Sequence, residues 1–174
     1  MSAIDQVKSL IKGIVLHWTA GTYKQTYSDY HFCITWDEKV GAKVVQTRSI
    51  KQIGAHTWKR NTSRIGIALC SENWTLRPVC PAKPQQLEAM AKLIAELCIK
   101  LGMNHKGTHK VWDLYRSIEH NVPNVTDHNF YGNMDKYGKP DIGKYLSVVM
   151  GKVDWYIVKL KSGEMKYEYT LNVF

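Results

Sequence analysis

Ile14-Val15-Leu16-His17-Trp18-Thr19-Ala20-Gly21 is the stretch from which the fold of this chain can be worked out. It opens with a short apolar run that lies between two glycines, Gly13 and Gly21, which predicts a buried strand. The histidine follows where that strand is expected to end, and a strand end holds a side chain rigidly while leaving it open to a cleft. His17 is therefore a candidate metal ligand, and a histidine satisfied within the core is the alternative interpretation.

The composition is that of one ordinary globular domain. The chain has 174 residues, of which 44% are hydrophobic and 22% are charged, so it can form a sizeable core. No apolar run reaches the roughly 18 residues that a membrane-spanning helix needs. The first residues lack a basic segment followed by an apolar one. We therefore expect synthesis in the cytoplasm without a signal peptide, and no insertion into a membrane.

The net charge of +9, from 24 Lys and Arg against 15 Asp and Glu, favours a polyanionic partner. Nucleic acid, an anionic membrane surface and the polymers of a bacterial wall all have that charge. The basic residues are scattered, without a run of five or more, and the sequence has no aromatic platform motif. We therefore expect no nucleic-acid partner.

Hydrophobic patterns along the chain predict a mixture of strands and helices. The long helix is the clearest of these elements, because its apolar residues recur at 3.6-residue spacing. The predicted elements are a short helix at 3–11, strands at 30–36, 42–47 and 65–70, the long helix at 84–101, a second helix at 111–118 and an extended segment at 121–128. This order predicts a single α/β domain with a central mixed β-sheet flanked by helices.

The pattern changes after about residue 150. From Met165 to Val173 apolar and polar residues alternate with a period of two, and another apolar segment, 153–160, precedes them. This predicts a C-terminal β-hairpin within residues 151–174, packed on a catalytic domain of residues 1–150. A small appendage that binds the wall or a partner is the alternative interpretation.

Two histidines and one aspartate at predicted strand or loop ends have the residue types of a catalytic zinc site: His17, His128 and Asp141. Such a set binds zinc through three positions and leaves the fourth for water. Zinc held in this way lowers the pKa of the water to about 7 and polarises a carbonyl, which suits the hydrolysis of an amide. By residue type alone, three other histidines compete for the same role: His105, His109 and His120.

Five short motifs then occur in a fixed order over roughly residues 11–148. They are Ile14 to Gly21, Tyr30 to Ile34, Gly54 to His56 with Asn61 to Ile67, the long helix, and His128 with Lys139 to Gly143. The ordered set resembles the zinc-dependent N-acetylmuramoyl-L-alanine amidases. That family shares its fold with the peptidoglycan recognition proteins and includes small phage endolysins.

The resemblance implies three kinds of site residue. Those expected to bind zinc (Zn2+) are His17, His128 and Asp141. Those expected to act in catalysis, by stabilising the charge that develops on the tetrahedral oxygen, are Tyr30 and Lys139. Those expected to line the substrate groove are Trp18, His56 and Asn61. From the residues alone, Tyr30 also fits a half-buried strand aromatic and Lys139 a solvated loop lysine.

The sequence departs from the family pattern around the third ligand. The family usually closes with Asp-Pro-Gly or Cys-Pro-Gly, whereas this chain has Asp141-Ile142-Gly143. The segment that connects His128 to Asp141 is longer than usual, and Asp127 stands where the family tends to have glycine. Asp135, within the longer segment, is therefore the alternative third ligand.

The resemblance implies cleavage of the amide between N-acetylmuramic acid and L-alanine in bacterial peptidoglycan, as by a phage-type endolysin. The positive charge would add affinity for the anionic wall, which a monomeric enzyme would reach after membrane permeabilisation. A cytoplasmic wall-recycling amidase fits the same motifs. A non-catalytic peptidoglycan-binding protein is a further alternative, against which Asp141 argues because such relatives lack the third ligand.

Overall fold

A computed structural model of the chain describes residues 1–57, 59–74, 77–113, 116–134 and 140–174, without the side chains of 73, 74, 77–79, 133 and 134. The helices are α1 (Asp5–Lys8), α2 (Pro84–Leu101), α3 (His128–Met134) and α4 (Tyr145–Ser162). The strands are β1 (Gly13–Trp18), β2 (Phe32–Asp37), β3 (Gly41–Gln46), β4 (Arg64–Leu69), β5 (Glu72–Trp74), β6 (Arg77–Cys80), β7 (Thr108–Asp113), β8 (Ile118–Pro123) and β9 (Val125–Asp127).

The central sheet has five strands in the order β3-β2-β4-β1-β9. β1 is parallel to both of its neighbours, and β2 is parallel to β4 but antiparallel to β3. The predicted mixed sheet is thereby confirmed. Because β1 and β9 run in the same direction, with Leu16 opposite Asp127, their carboxyl ends place His17 beside His128.

The two faces of the sheet are covered by different elements. Ile14 and Leu16 point into the main core, which also contains the buried stripe of α2 and residues of α4. Val15 points to the other face, where it packs with Tyr131 of α3 and with the β7–β8 hairpin. Since side chains alternate along a strand, His17 lies on the same face as Val15.

Helix α2 has the predicted bounds. It begins with Pro84 in its first turn and ends at Leu101, and the Gly102 that caps it has a φ of +65°, the left-handed conformation that glycine adopts without strain. The Gly102 amide donates to the carbonyls of Cys98 and Ile99, and this closes the last turn. Among the described elements, this helix contributes the most buried side chains to the main core.

The second helix predicted at 111–118 is wrong, because β7 and β8 form an antiparallel hairpin there. Burial in β7 alternates with a period of two: Val111 and Asp113 are buried, whereas Trp112 between them is 51% exposed. The apolar residues of this segment therefore lie on two faces of a strand and do not form one helical stripe. The extended segment before His128 is confirmed as β9, and His128 then begins α3.

The predicted C-terminal hairpin is also wrong. Residues 145–162 form α4, which runs through residue 150 and buries Val149, Val153 and Leu160 against the core. Residues 163–174 are not in a strand, although their alternation is real, since Met165, Tyr169, Leu171 and Val173 pack on the main core.

Beyond local hydrogen bonds at its start, the segment 163–174 bonds to distant parts of the chain, and none of the described strands pairs with it. Buried Glu96 of α2 accepts hydrogen bonds from the amides of Glu168 and Tyr169, at 2.6 and 3.0 Å. The amides of Ile50 and Lys51 donate to the carbonyls of residues 172 and 173. The segment is thus packed on the same domain. Among the described helices, none has the length and apolar character required to cross a bilayer.

Candidate metal centre and active-site cleft

Three side chains from three different elements meet at the carboxyl edge of the sheet. His17 ends β1, His128 begins α3, and Asp141 lies in the loop before α4. His17 Nδ1 is 3.2 Å from His128 Nδ1 and 3.3 Å from Asp141 Oδ2, and the remaining pair, His128 Nδ1 and Asp141 Oδ2, is 3.5 Å apart. The structure therefore brings together the three residues predicted as metal ligands.

These three distances fit a tetrahedral zinc ion. Zinc binds histidine nitrogen and carboxylate oxygen at about 2.0–2.1 Å, so two ligands of a tetrahedron are about 3.3–3.4 Å apart. The three atoms lie at 3.2–3.5 Å from one another, and they are two imidazole nitrogens and one carboxylate oxygen. It is also the one cluster of three potential ligands found among the described residues.

Burial and mutual contact keep two members of the cluster in the form that binds a metal. Burial lowers the pKa of His17 to about 4, although the neighbouring Asp141 opposes this shift. Burial acts to raise the pKa of Asp141, but the hydrogen bonds from His128 and His17 outweigh it and hold that pKa well below its usual range. At neutral pH His17 is therefore a neutral imidazole and Asp141 a carboxylate.

The competing histidines are engaged elsewhere. His105 Nε2 lies 2.5 Å from Asp154 Oδ1. His109 contacts Arg64 and Asn124, and His120 contacts Asp113. None of the three histidines belongs to the cluster of potential metal ligands found in the described part of the chain. Asp135, the alternative third ligand, lies outside the described residues.

Asp127 links the two segments that carry His128 and Asp141. Its Oδ1 accepts from the amide of Phe130 at 3.0 Å, which caps the first turn of α3, and its Oδ2 accepts from the amide of Ile142 at 3.2 Å. The Asn129 amide also donates to the Asp141 carbonyl at 2.7 Å. Sequence reasoning treated Asp127 only as a departure from the family, but an aspartate directly before a helix is a recognisable N-cap signal.

A cleft of about 300 Å³ opens beside the cluster. Its lining includes Trp18, Tyr30, His56, His128 and Asp141. The Tyr30 ring packs against His17 at 5.1 Å between ring centres. Burial, assisted by the nearby Asp141 charge, raises the pKa of Tyr30 well above its usual range, so its phenol stays protonated at neutral pH.

The residues predicted to line the substrate groove have different surroundings. Trp18 and His56 border the cleft but are only 6% exposed, and Trp18 also belongs to the main core. Asn61 is absent from the described cleft lining, and its Oδ1 accepts from the amides of His56 and Thr57 at 2.8 and 2.7 Å. Lys139 lies outside the described residues, next to Pro140, which borders the cleft.

Comparison with known proteins identifies the family of this chain. The N-acetylmuramoyl-L-alanine amidase family (Amidase_2) matches residues 7–136. A search of curated proteins gives no significant match.

Several solved structures have the same fold. The endolysin of Thermus scotoductus MAT2119 bacteriophage Ph2119 has a TM-score of 0.52 at 18% identity, over 83% of this chain and 85% of that one. The amidase LysC from Clostridium intestinale URNW has a TM-score of 0.53 at 16% identity, over the same shares, 83% and 85%. AmpDh3 from Pseudomonas aeruginosa, solved with an anhydromuramic pentapeptide, has a TM-score of 0.54 at 17% identity, over 82% of this chain and 59% of that one. The chain belongs to the N-acetylmuramoyl-L-alanine amidase family, and its fold is the one found in these solved proteins.

Proposed function

We propose that the protein cleaves the amide between N-acetylmuramic acid and L-alanine with a zinc ion held by His17, His128 and Asp141. The observation that carries this proposal is the spacing of the three ligand atoms, 3.2–3.5 Å, beside an open cleft. Bound zinc would supply a Lewis acid that polarises the scissile carbonyl and acidifies water. The single negative charge of Asp141 and the two imidazoles suit a divalent cation of this kind.

Tyr30 is proposed as a catalytic hydrogen-bond donor. Its ring borders the cleft and lies against His17, and its raised pKa keeps the proton on the phenol oxygen. A protonated phenol can donate to the amide oxygen as negative charge develops there, which stabilises the transition state more than the ground state. The same phenol is a poor general base, so we assign Tyr30 to stabilising the oxyanion.

Lys139 is proposed as a second group that stabilises the oxyanion. The support is its match to the family motif and its position next to Pro140, which borders the cleft. A donor of this kind contributes about 10²–10³ in rate. Replacing Lys139 with alanine should therefore lower kcat while the bound zinc remains.

Trp18, His56 and Asn61 are proposed to shape the substrate groove. Trp18 and His56 form part of its wall, and Asn61 holds the backbone of the loop that carries His56. These contacts favour a groove whose shape is set by the fold before substrate binds.

We further propose that the enzyme is a monomeric phage-type endolysin that reaches the wall after membrane permeabilisation. The support is the net charge of +9, which favours an extended anionic polymer over a small soluble fragment. Raising the salt concentration should weaken binding to intact walls, because screening shortens to about 8 Å near physiological ionic strength. Cleavage of a small soluble muropeptide should change much less. Equal salt dependence on both substrates would favour the recycling role.

Metal analysis combined with digestion of purified peptidoglycan tests the zinc amidase directly. We expect one zinc per chain, and new L-alanine amino groups without new reducing sugar ends. A His105→Ala variant, which removes a histidine outside the cluster, should keep the zinc. Wild-type protein that binds walls but releases no amino groups would instead be a non-catalytic binding protein. Iron in place of zinc would contradict the assignment of the metal.

A further inference from the structure

The second ring nitrogen of His17 also has a partner. While Nδ1 faces His128 and Asp141, Nε2 lies 3.1 Å from Nδ1 of His56. The two imidazoles meet edge to face, with ring centres 5.0 Å apart and planes at 75°. Both side chains are buried, at 1% and 6% exposure, so this contact is shielded from solvent.

The direction of this hydrogen bond follows from the chemistry of imidazole. A neutral histidine that offers the lone pair of Nδ1 to a metal carries its proton on Nε2. His17 Nε2 is then the donor, and His56 Nδ1 is the acceptor. The Thr57 hydroxyl, 3.0 Å from the same His56 nitrogen, can donate to it as well.

The backbone around His56 fixes where its acceptor nitrogen lies. Asn61 Oδ1 accepts from the amides of His56 and Thr57, which holds the loop. The imidazole packs directly against Gly66 and Gly54, where an added Cβ would stand 2.6 Å and 2.7 Å from ring atoms. Any larger residue at these two positions would overlap the imidazole. The two glycines therefore allow the His56 ring to pack in one position next to His17.

We propose that His56 is a positioning residue, which accepts the His17 Nε2 proton and so keeps the His17 lone pair at Nδ1 directed into the metal cluster. The inference rests on the zinc site of the proposed function, and it gives His56 a task beyond bordering the groove. A group that accepts a hydrogen bond from the nitrogen of a metal-bound histidine that does not bind the metal sets the tautomer and orientation of that histidine. Loss of such a group typically lowers metal affinity about 10–100-fold.

Two substitutions of His56 separate its hydrogen bond from its bulk. His56→Ala removes the acceptor, whereas His56→Asn places an amide oxygen near the position of Nδ1. In competition with a chelator, His56→Ala should bind zinc about 10–100-fold more weakly than wild type, and His56→Asn should recover most of that loss. Equal zinc affinity in His56→Ala and wild type would overturn the inference.

His31→Ala is the matched control. His31 is equally buried and its ring lies 5.8 Å from that of His56, but its own contacts are with the Gly66 amide and the Gln52 carbonyl. If His56 acts through His17, His31→Ala should bind zinc more tightly than His56→Ala at similar thermal stability. Equal losses of zinc affinity in the two variants would reduce His56 to a packing role and overturn the inference.

Nitrogen NMR of the histidine rings in zinc-loaded protein gives a readout without substrate. In the wild type, Nδ1 of His56 should be unprotonated, because it accepts the proton of His17 Nε2, and the His17 Nε2 resonance should shift in His56→Ala. A proton on His56 Nδ1 in the wild type would overturn the inference even if His56→Ala fails to fold. Failure of the proposed function would look different, since the wild type would then bind no zinc.

Discussion

The two sides of the metal cluster are built in different ways. His17 belongs to β1, which is buried along its whole length and paired on both sides by β4 and β9. Its outer nitrogen meets His56, a ring seated against two glycines. Asp141 and His128 instead lie in a loop and at the start of the seven-residue α3.

On the second side, hydrogen bonds of one carboxylate add to the packing of Tyr131 and Ile142. Asp127 joins α3 to the Asp141 loop through the amides of Phe130 and Ile142. The difference teaches that one side of the cluster is a strand paired with two neighbours, whereas the other side joins a loop to a short helix through polar contacts as well as packing. A metal that bridges both sides should stabilise the second side more than the first, because binding energy is then coupled to folding.

The largest expected effect is the loss of the ligand that joins the two sides. Asp141→Ala should weaken zinc binding by more than the about 10–100-fold that an outer partner contributes, because it removes a bond to the metal itself. Zinc content after dialysis measures this. Asp135→Ala is the control, and if that variant loses zinc while Asp141→Ala retains it, the third ligand has been assigned to the wrong aspartate.

The next largest effect is expected from a substitution that disturbs the side formed by His17 of β1 and by His56. In Gly66→Ala the new Cβ would stand 2.6 Å from the His56 ring, so the ring or β4 must shift. Overpacking of this kind lowers the free energy of unfolding by about 1–3 kcal/mol, which denaturant unfolding measures. The zinc affinity should fall as well, because the His56 ring moves. Gly151→Ala is the matched control and should not destabilise the fold, because outside its own helical turns nothing lies within 4 Å of the added Cβ.

A smaller effect is expected on the side held by Asp127. Asp127→Ala removes the cap of α3 and the acceptor for Ile142, so the free energy of unfolding should fall by about 0.5–2 kcal/mol. Asp127→Asn keeps the cap but turns an amide toward the Ile142 N–H, so it should lose zinc affinity with less loss of stability. If both variants bind zinc like the wild type, Asp127 does not order this side.

The smallest effect is local and needs no mutation. Removing zinc with a chelator should speed hydrogen exchange in residues 128–134 and 140–146, which form a short helix and a loop, while amides of the doubly paired β1 stay protected. Mass spectrometry of peptides from both regions measures the contrast. Faster exchange in β1 as well would mean that the two sides share one cooperative unit and that the comparison fails.

Local patterns predicted much of the fold and the cluster. The apolar run before His17 and the stripe of α2 are periodic over their own length, so they could be interpreted without knowing their partners. Asp141 is a candidate ligand by residue type and position, and the family motif supports it despite the altered residue after it. Its contacts with His17 and His128 now place it in the cluster.

The remaining features depend on contacts between distant residues. Residues 111–118 contain apolar residues that fit a helix or a strand, and only packing against Val15 selects the strand. The alternation from Met165 to Val173 predicted a hairpin, but the amides there bond to α2 and to residues 50–51. No sequence pattern shows that His56 faces His17 Nε2, because that contact spans 39 residues.

Glu96 has a consequence for the order in which a newly made chain can assemble. Its carboxylate is fully buried, and its amide partners at Glu168 and Tyr169 are translated 72 and 73 residues later. Before they leave the ribosome, Lys100 at 3.7 Å is the partner that α2 itself provides, and a poorly paired buried charge is unfavourable. Packing of α2 is thus completed after translation has passed both residues. A premature stop codon before Glu168 would therefore remove both amide partners of the Glu96 carboxylate.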